Sequence, residues 1–169
     1  VNASMSMQGQ NIDLKMMKAK GGKELTMVTA MGQTVQKQVF DGKTGYSEQM
    51  GNKVDMKPEQ IAEKLKNTEL FPEVGFAKSA DYKLAGIEKI GGEDSYVVKN
   101  GDTTYYYSVK TGLKTGETKT VKAMGQTMTV PTTYSDYKDV AGVKMPYTIT
   151  VSQMGMDMTM NVKSYEVNQ

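Results

Sequence analysis

Short stretches in which apolar and polar residues alternate recur along the whole chain. Each is bounded by a glycine-containing pair such as Gly21-Gly22, Asp41-Gly42, Gly51-Asn52, Gly91-Gly92, Asn100-Gly101 or Ala141-Gly142. A period of two puts every second side chain of an extended strand on one face, and turn pairs at this spacing join such strands into antiparallel hairpins. The pattern predicts a meander of about ten strands, drawn from segments 2–8, 11–19, 23–31, 34–41, 44–49, 81–90, 94–100, 103–109, 114–124, 126–138, 143–153 and 157–167. The string Ala-Met-Gly-Gln-Thr occurs at 30–34 and again at 123–127. It reads as reused turn chemistry, with Gly-Gln as the two-residue loop and glycine supplying a positive φ.

One stretch departs from this alternation. Residues 58–69, PEQIAEKLKNTE, combine helix formers with a proline at a first helical position, and Ile61, Ala62 and Leu65 fall on one stripe. Leu70, Phe71 and Phe76 follow, interrupted by Pro72, as an apolar but irregular patch. A lone amphipathic helix must bury its stripe, and the surface on offer is the apolar face of the sheet. The expected architecture is therefore mainly β, a single domain over 1–169, with one main helix in or over the concave face of a curved antiparallel sheet. Ile61, Leu65, Phe71 and Phe76 read either as plain core or as a movable lid.

Composition sharpens the picture through methionine. The 169 residues include fifteen methionines, several at every second position, as in Met5/Met7 and Met154/Met156/Met158/Met160. Within the predicted strands, Ile12, Leu14 and Met16 share a face, as do Leu25, Met27 and Met31. Three readings fit. The residues form ordinary core, or line an apolar cavity for acyl chains that one short helix cannot fill, or capture Cu(I) through thioethers. The cavity reading makes Ile12, Leu14, Met16, Leu25, Met27, Met31, Ile61, Leu65, Phe71, Met156, Met158 and Met160 the candidate ligand-binding residues. Tyr105-Tyr106-Tyr107 places two rings on one face of its strand and one on the other, a packing signature.

Histidine, cysteine and tryptophan are absent. That removes the imidazole base, the Ser-His-Asp arrangement, the thiolate nucleophile and the usual zinc cages. Glu93/Asp94 and Asp136/Asp139 are the densest acidic points and fall beside turns, where solvated surface is expected. No catalytic residue, metal or cofactor is predicted, and the chain reads as a non-enzyme. A net charge of +2 with scattered lysines gives no reason to expect nucleic acid. There is no run of 18 apolar residues to span a bilayer and no stretch that reads as a signal peptide. The start at Val1-Asn2-Ala3, without methionine, suggests a processed product or a piece of something longer.

Five segments carry a family resemblance in their order: FDGKTGYS at 40–47, the helix at 58–69, GGEDSYVVK at 91–99, YYYSVKTGL at 105–113 and SDYKDVAGVKMP at 135–146. Together they resemble the bacterial outer-membrane lipoprotein-sorting family, the LolA/LolB-like lipoprotein carriers. Tyr46 stands where tryptophan is commoner in that pattern and Ser108 where aspartate is usual, and the family's N-terminal helix has no counterpart here. The resemblance implies an incomplete barrel around helices, with an apolar cavity for lipid or an acylated protein. It also implies a place in the cell envelope, in the periplasm or at the periphery of the outer membrane. Similar domains occur as C-terminal parts of envelope proteins that carry pitrilysin/insulinase-type zinc-peptidase domains, so the resemblance extends to an accessory domain docking such a neighbour or another partner protein.

Overall fold

A computed structural model describes every residue except 8, 9, 67, 70, 72, 77, 124, 125, 154, 168 and 169. The alternating segments form strands β1 (Asn2–Met7), β2 (Gln10–Ala19), β3 (Lys23–Ala30), β4 (Gln33–Phe40), β5 (Gly45–Gln49) and β6 (Asn52–Asp55). After two helices, α1 (Pro58–Lys66) and α2 (Glu73–Phe76), come β7 (Lys83–Ile90), β8 (Glu93–Asn100), β9 (Thr103–Ser108), β10 (Lys114–Ala123), β11 (Gln126–Val140), β12 (Val143–Gln153) and β13 (Met156–Ser164). All belong to one antiparallel sheet with hydrogen-bonded order β6-β5-β4-β3-β2-β1-β13-β12-β11-β10-β9-β8-β7. The first and last strands are thus neighbours, and two meanders run outward from them to β6 and β7.

Thirteen described strands are one more than the twelve segments read from the sequence, because Asn52–Asp55, with Val54 as its one apolar residue, also pairs, through Ser47↔Val54 and Glu48↔Lys53. α2 was not expected either, since it is only one turn long and follows Pro72. α1 ends at Lys66, short of the expected 69. Its start carries half of a capping box: the Gln60 Oε1 accepts from the Lys57 backbone N–H at 2.9 Å, while Lys57 has no side-chain acceptor to return the bond.

The hairpin loops explain another departure. Met31-Gly32, Met50-Gly51, Gly91-Gly92 and Ala141-Gly142 each have positive φ at both residues, the type I′ geometry whose twist suits paired strands. The loop at the first repeat is therefore Met31-Gly32, not Gly32-Gln33, and Gln33 already pairs with Ala30. Met31 accordingly leaves the strand face and is 78% exposed. In the second repeat Met124 and Gly125 lie outside the described residues.

The chain divides into two compact units, Val1–Ala77 with Val162–Asn168, and Lys78–Asn161 with Gln169. In the first, Ala3, Phe40, Met56 and Val162 are buried. Gly45 sits where a Cβ would fall 2.5 Å from the Val39 carbonyl oxygen and 2.7 Å from the Met56 Sδ, so that glycine is what lets Met56 close over β5. In the second, Val97 is buried beside the small Ser95 and Ser108 on paired strands.

Candidate functional site

Facing residues of an antiparallel pair project to the same side of the sheet, so the register assigns the methionines to faces. In the first unit, Ile12 faces Ala30, Leu14 faces Val28 and Met16 faces Thr26. Across the other edge of β2, Ile12 faces Met5 and Leu14 faces Ala3. Ala3, Met5, Ile12, Leu14, Met16, Val28 and Ala30 thus form one apolar stripe over three strands. All are half-buried apart from the fully buried Ala3.

Leu25 and Met27 stand on the other side. Leu25 faces Met17 and Val39, and Met27 faces Lys15 and Lys37. They do not share a lining with Ile12, Leu14 and Met16, which corrects the single lining expected from the sequence. The cause is the connection Lys20–Gly22, a three-residue 3-10 turn that pairs Ala19 with Lys23. Even positions of β2 therefore meet even positions of β3; a two-residue loop would have reversed every side chain.

The remaining candidates scatter. Met31 is in a loop, Ile61 is half-buried on α1, and Leu65 and Phe71 are 46% and 38% exposed. Met156, Met158 and Met160 belong to the second unit. There Met158 and Met160 are half-buried opposite Val151 and Ile149, whereas Met156 is 66% exposed. Sequence reasoning missed Ala3, Met5, Val28 and Ala30 as stripe members; counting the residues between Ala19 and Lys23 was the signal that could have found Val28 and Ala30.

The stripe ends in charge. Along the same face Met16 is followed by Lys18, which faces Glu24; Glu24 faces Phe40 and Thr26 faces Gln38. Over this end lies α1: the Lys64 Nζ donates to the Glu24 Oε1 at 3.0 Å and sits 5.9 Å from the Phe40 ring centroid. Between helix and strands is a pocket of about 340 Å³, lined by Lys18, Gly22, Glu24, Gln38, Met56, Gln60, Glu63 and Lys64. It is polar, unlike the greasy cavity expected, because the strand ends that meet α1 carry charges.

A second cluster lies in the other unit. The Lys114 ammonium is 4.8 Å from the ring centroids of both Tyr105 and Tyr134 and pairs with the Glu117 carboxylate. Tyr105 and Glu117 face each other across β9 and β10. Burial, then the nearby Glu117 charge and a hydrogen bond to it, push the Tyr134 phenol far above its ordinary range. Tyr106 points to the other side, opposite Gly116 and Val97, as the tyrosine triplet implied. Among the described residues, no group of three or more acidic side chains is arranged to hold a metal ion.

Neither a protein-family model nor a curated protein matches the sequence. The backbone does find counterparts. A crystal structure of a LolA superfamily protein from Nitrosomonas europaea superposes with a TM-score of 0.57 at 12% identity, over 98% of this chain and 84% of that one. The fold is LolA-like. A DUF1329 family protein from Desulfovibrio piger is similar with a TM-score of 0.52 at 12% identity, over 95% of this chain and 80% of the other. The LolA-like fold agrees with the resemblance read from the five ordered segments; at this identity the agreement concerns the backbone alone.

Proposed function

We propose that the protein is a non-enzymatic binder of lipid or lipid-modified protein in the cell envelope, in the periplasm or at the outer-membrane periphery, and that acyl chains lie along the stripe of β1–β3. The observation that carries this reading is the placement of Met5, Ile12, Leu14, Met16, Val28 and Ala30 on one face, none of them fully buried. The LolA-like fold supports it. So does the absence of histidine and cysteine from the chain. Among the described residues no helix is long and apolar enough to cross a membrane. Curvature of the sheet and α1 acting as a cover over the stripe belong to the same reading.

At about 0.8 kcal/mol per buried methylene, a C14–C16 chain supplies on the order of 10 kcal/mol gross, before ordering and desolvation costs. The test compares two lysine substitutions against a fluorescent fatty-acid probe. Leu14→Lys puts a charge in the stripe and is expected to abolish binding. Met27→Lys puts the same charge on the opposite face, among Lys15 and Lys37, and is expected to leave binding intact. A folded Leu14→Lys protein that binds like the parent sinks the reading. Native mass spectrometry of protein purified from its host should also find co-purified lipid.

One observation favours a second reading, an accessory domain that docks a partner protein. Leu84 and Ile87 on β7 are 67% and 57% exposed, and they share a face with Val98 and Tyr96 of β8. For Cu(I) capture the pairing gives no comparable support, because Met158 and Met160 face Val151 and Ile149, not further thioethers.

A further inference from the structure

The stripe and the pocket are parts of one surface, and that surface is amphiphilic lengthwise. From Ile12 to Lys18 along β2 is six residues, about 20 Å at 3.3 Å each. One leaflet's share of a roughly 30 Å hydrocarbon core is about 15 Å. An acyl chain of bilayer length therefore fits on the apolar positions, with its head at Lys18. There the polar pocket begins, and at about 340 Å³ it has the capacity of a small-ligand site.

We propose that this pocket is a headgroup subsite and that it takes a zwitterionic phosphoethanolamine head; the inference rests on the acyl-chain reading of the same face. Charge carries the choice of head. The lining has two lysines, Lys18 and Lys64, against two glutamates, Glu24 and Glu63, so it is formally neutral. A purely anionic head meets two carboxylates there, whereas a zwitterion satisfies both signs. Lys64 is held by Glu24 at 3.0 Å. Lys18 lines the same pocket and makes no hydrogen bond or ion pair among the described residues. Lys18 is thus the cation for the phosphate, and Glu63 on α1 supplies charge of the sign an ammonium needs. The amide of Gln60, whose oxygen is engaged by the Lys57 N–H, keeps its two N–H donors for a phosphoryl oxygen.

The experiment measures dissociation constants of the whole protein for four probes: dioctanoyl phosphatidylethanolamine, dioctanoyl phosphatidylglycerol, dioctanoylglycerol and free phosphoethanolamine. The phosphatidylethanolamine should bind about tenfold tighter than dioctanoylglycerol, as expected for a charge-assisted hydrogen bond. It should also bind more tightly than the phosphatidylglycerol and than the chainless headgroup. Lys18→Gln and Glu63→Gln, each checked for an unchanged circular dichroism spectrum, should each narrow the preference over dioctanoylglycerol. Equal binding of phosphatidylethanolamine and dioctanoylglycerol overturns the headgroup subsite while leaving acyl-chain binding standing. Equal binding of the phosphatidylglycerol overturns the zwitterion assignment, and equal binding of free phosphoethanolamine makes the pocket a site for a small phosphoester. If no acylated probe binds at all, the acyl-chain reading falls first, and this inference with it.

Discussion

Tyr134 and Gly45 show how much one side chain, or its absence, decides here. The Tyr134 phenol is held neutral by burial and by Glu117. Its pKa is raised in the folded state, so its contribution to stability is complete below the unfolded tyrosine value of about 10 and is lost as pH rises beyond it. Tyr134→Phe should therefore flatten the loss of stability measured by urea titration above pH 10. Absorbance near 295 nm should show that the folded parent ionises no more phenols than the variant through pH 11. At Gly45 the crowding by the Val39 carbonyl and Met56 makes Gly45→Ala an overpacking change. A loss of about 1–3 kcal/mol is expected from denaturant unfolding. Residue identity alone exposed neither effect, since both depend on which strand or segment arrives alongside. Ile12, Leu14 and Met16 were legible as one face because strand alternation is local; Leu25 and Met27 were misassigned because relating two strands needs the loop between them.

At the scale of elements, hairpin chemistry governs. Met31 holds φ +51 in a type I′ loop, a conformation that costs an L residue and suits asparagine or glycine. Met31→Asn is expected to stabilise the β3–β4 hairpin by about 0.5–1 kcal/mol, read as an upward shift of the denaturation midpoint. The thioether, 78% exposed, gives up little packing in exchange. Most strands and the start of α1 could be read from the sequence, because glycine pairs, alternation and a Pro58 with its Gln60 cap act within a few residues. β6 could not: Asn-Lys-Val-Asp offers no apolar alternation and is recruited by Gly45–Gln49 beside it. The polar pocket was equally hidden, since Lys18, Glu24 and Lys64 come from three elements and look like ordinary solvated charges until their pairing is known.

For the whole molecule, the order of five segments was enough to anticipate the LolA-like fold, although neither a family model nor a curated protein matches the sequence. What kind of ligand the surface takes lay beyond reach without register, because amphiphilic character emerges only when strands 2, 3 and 4 are lined up. The neighbouring of β1 and β13 has a consequence for biogenesis. Residues Val1–Ala77 are synthesised before Val162–Asn168, the segment that completes their unit. At ordinary translation speeds the intervening segment takes roughly 4–17 s to make. Throughout that interval the edge of β1 waits without its last partner, a nascent sticky margin open to mispairing until the tail arrives.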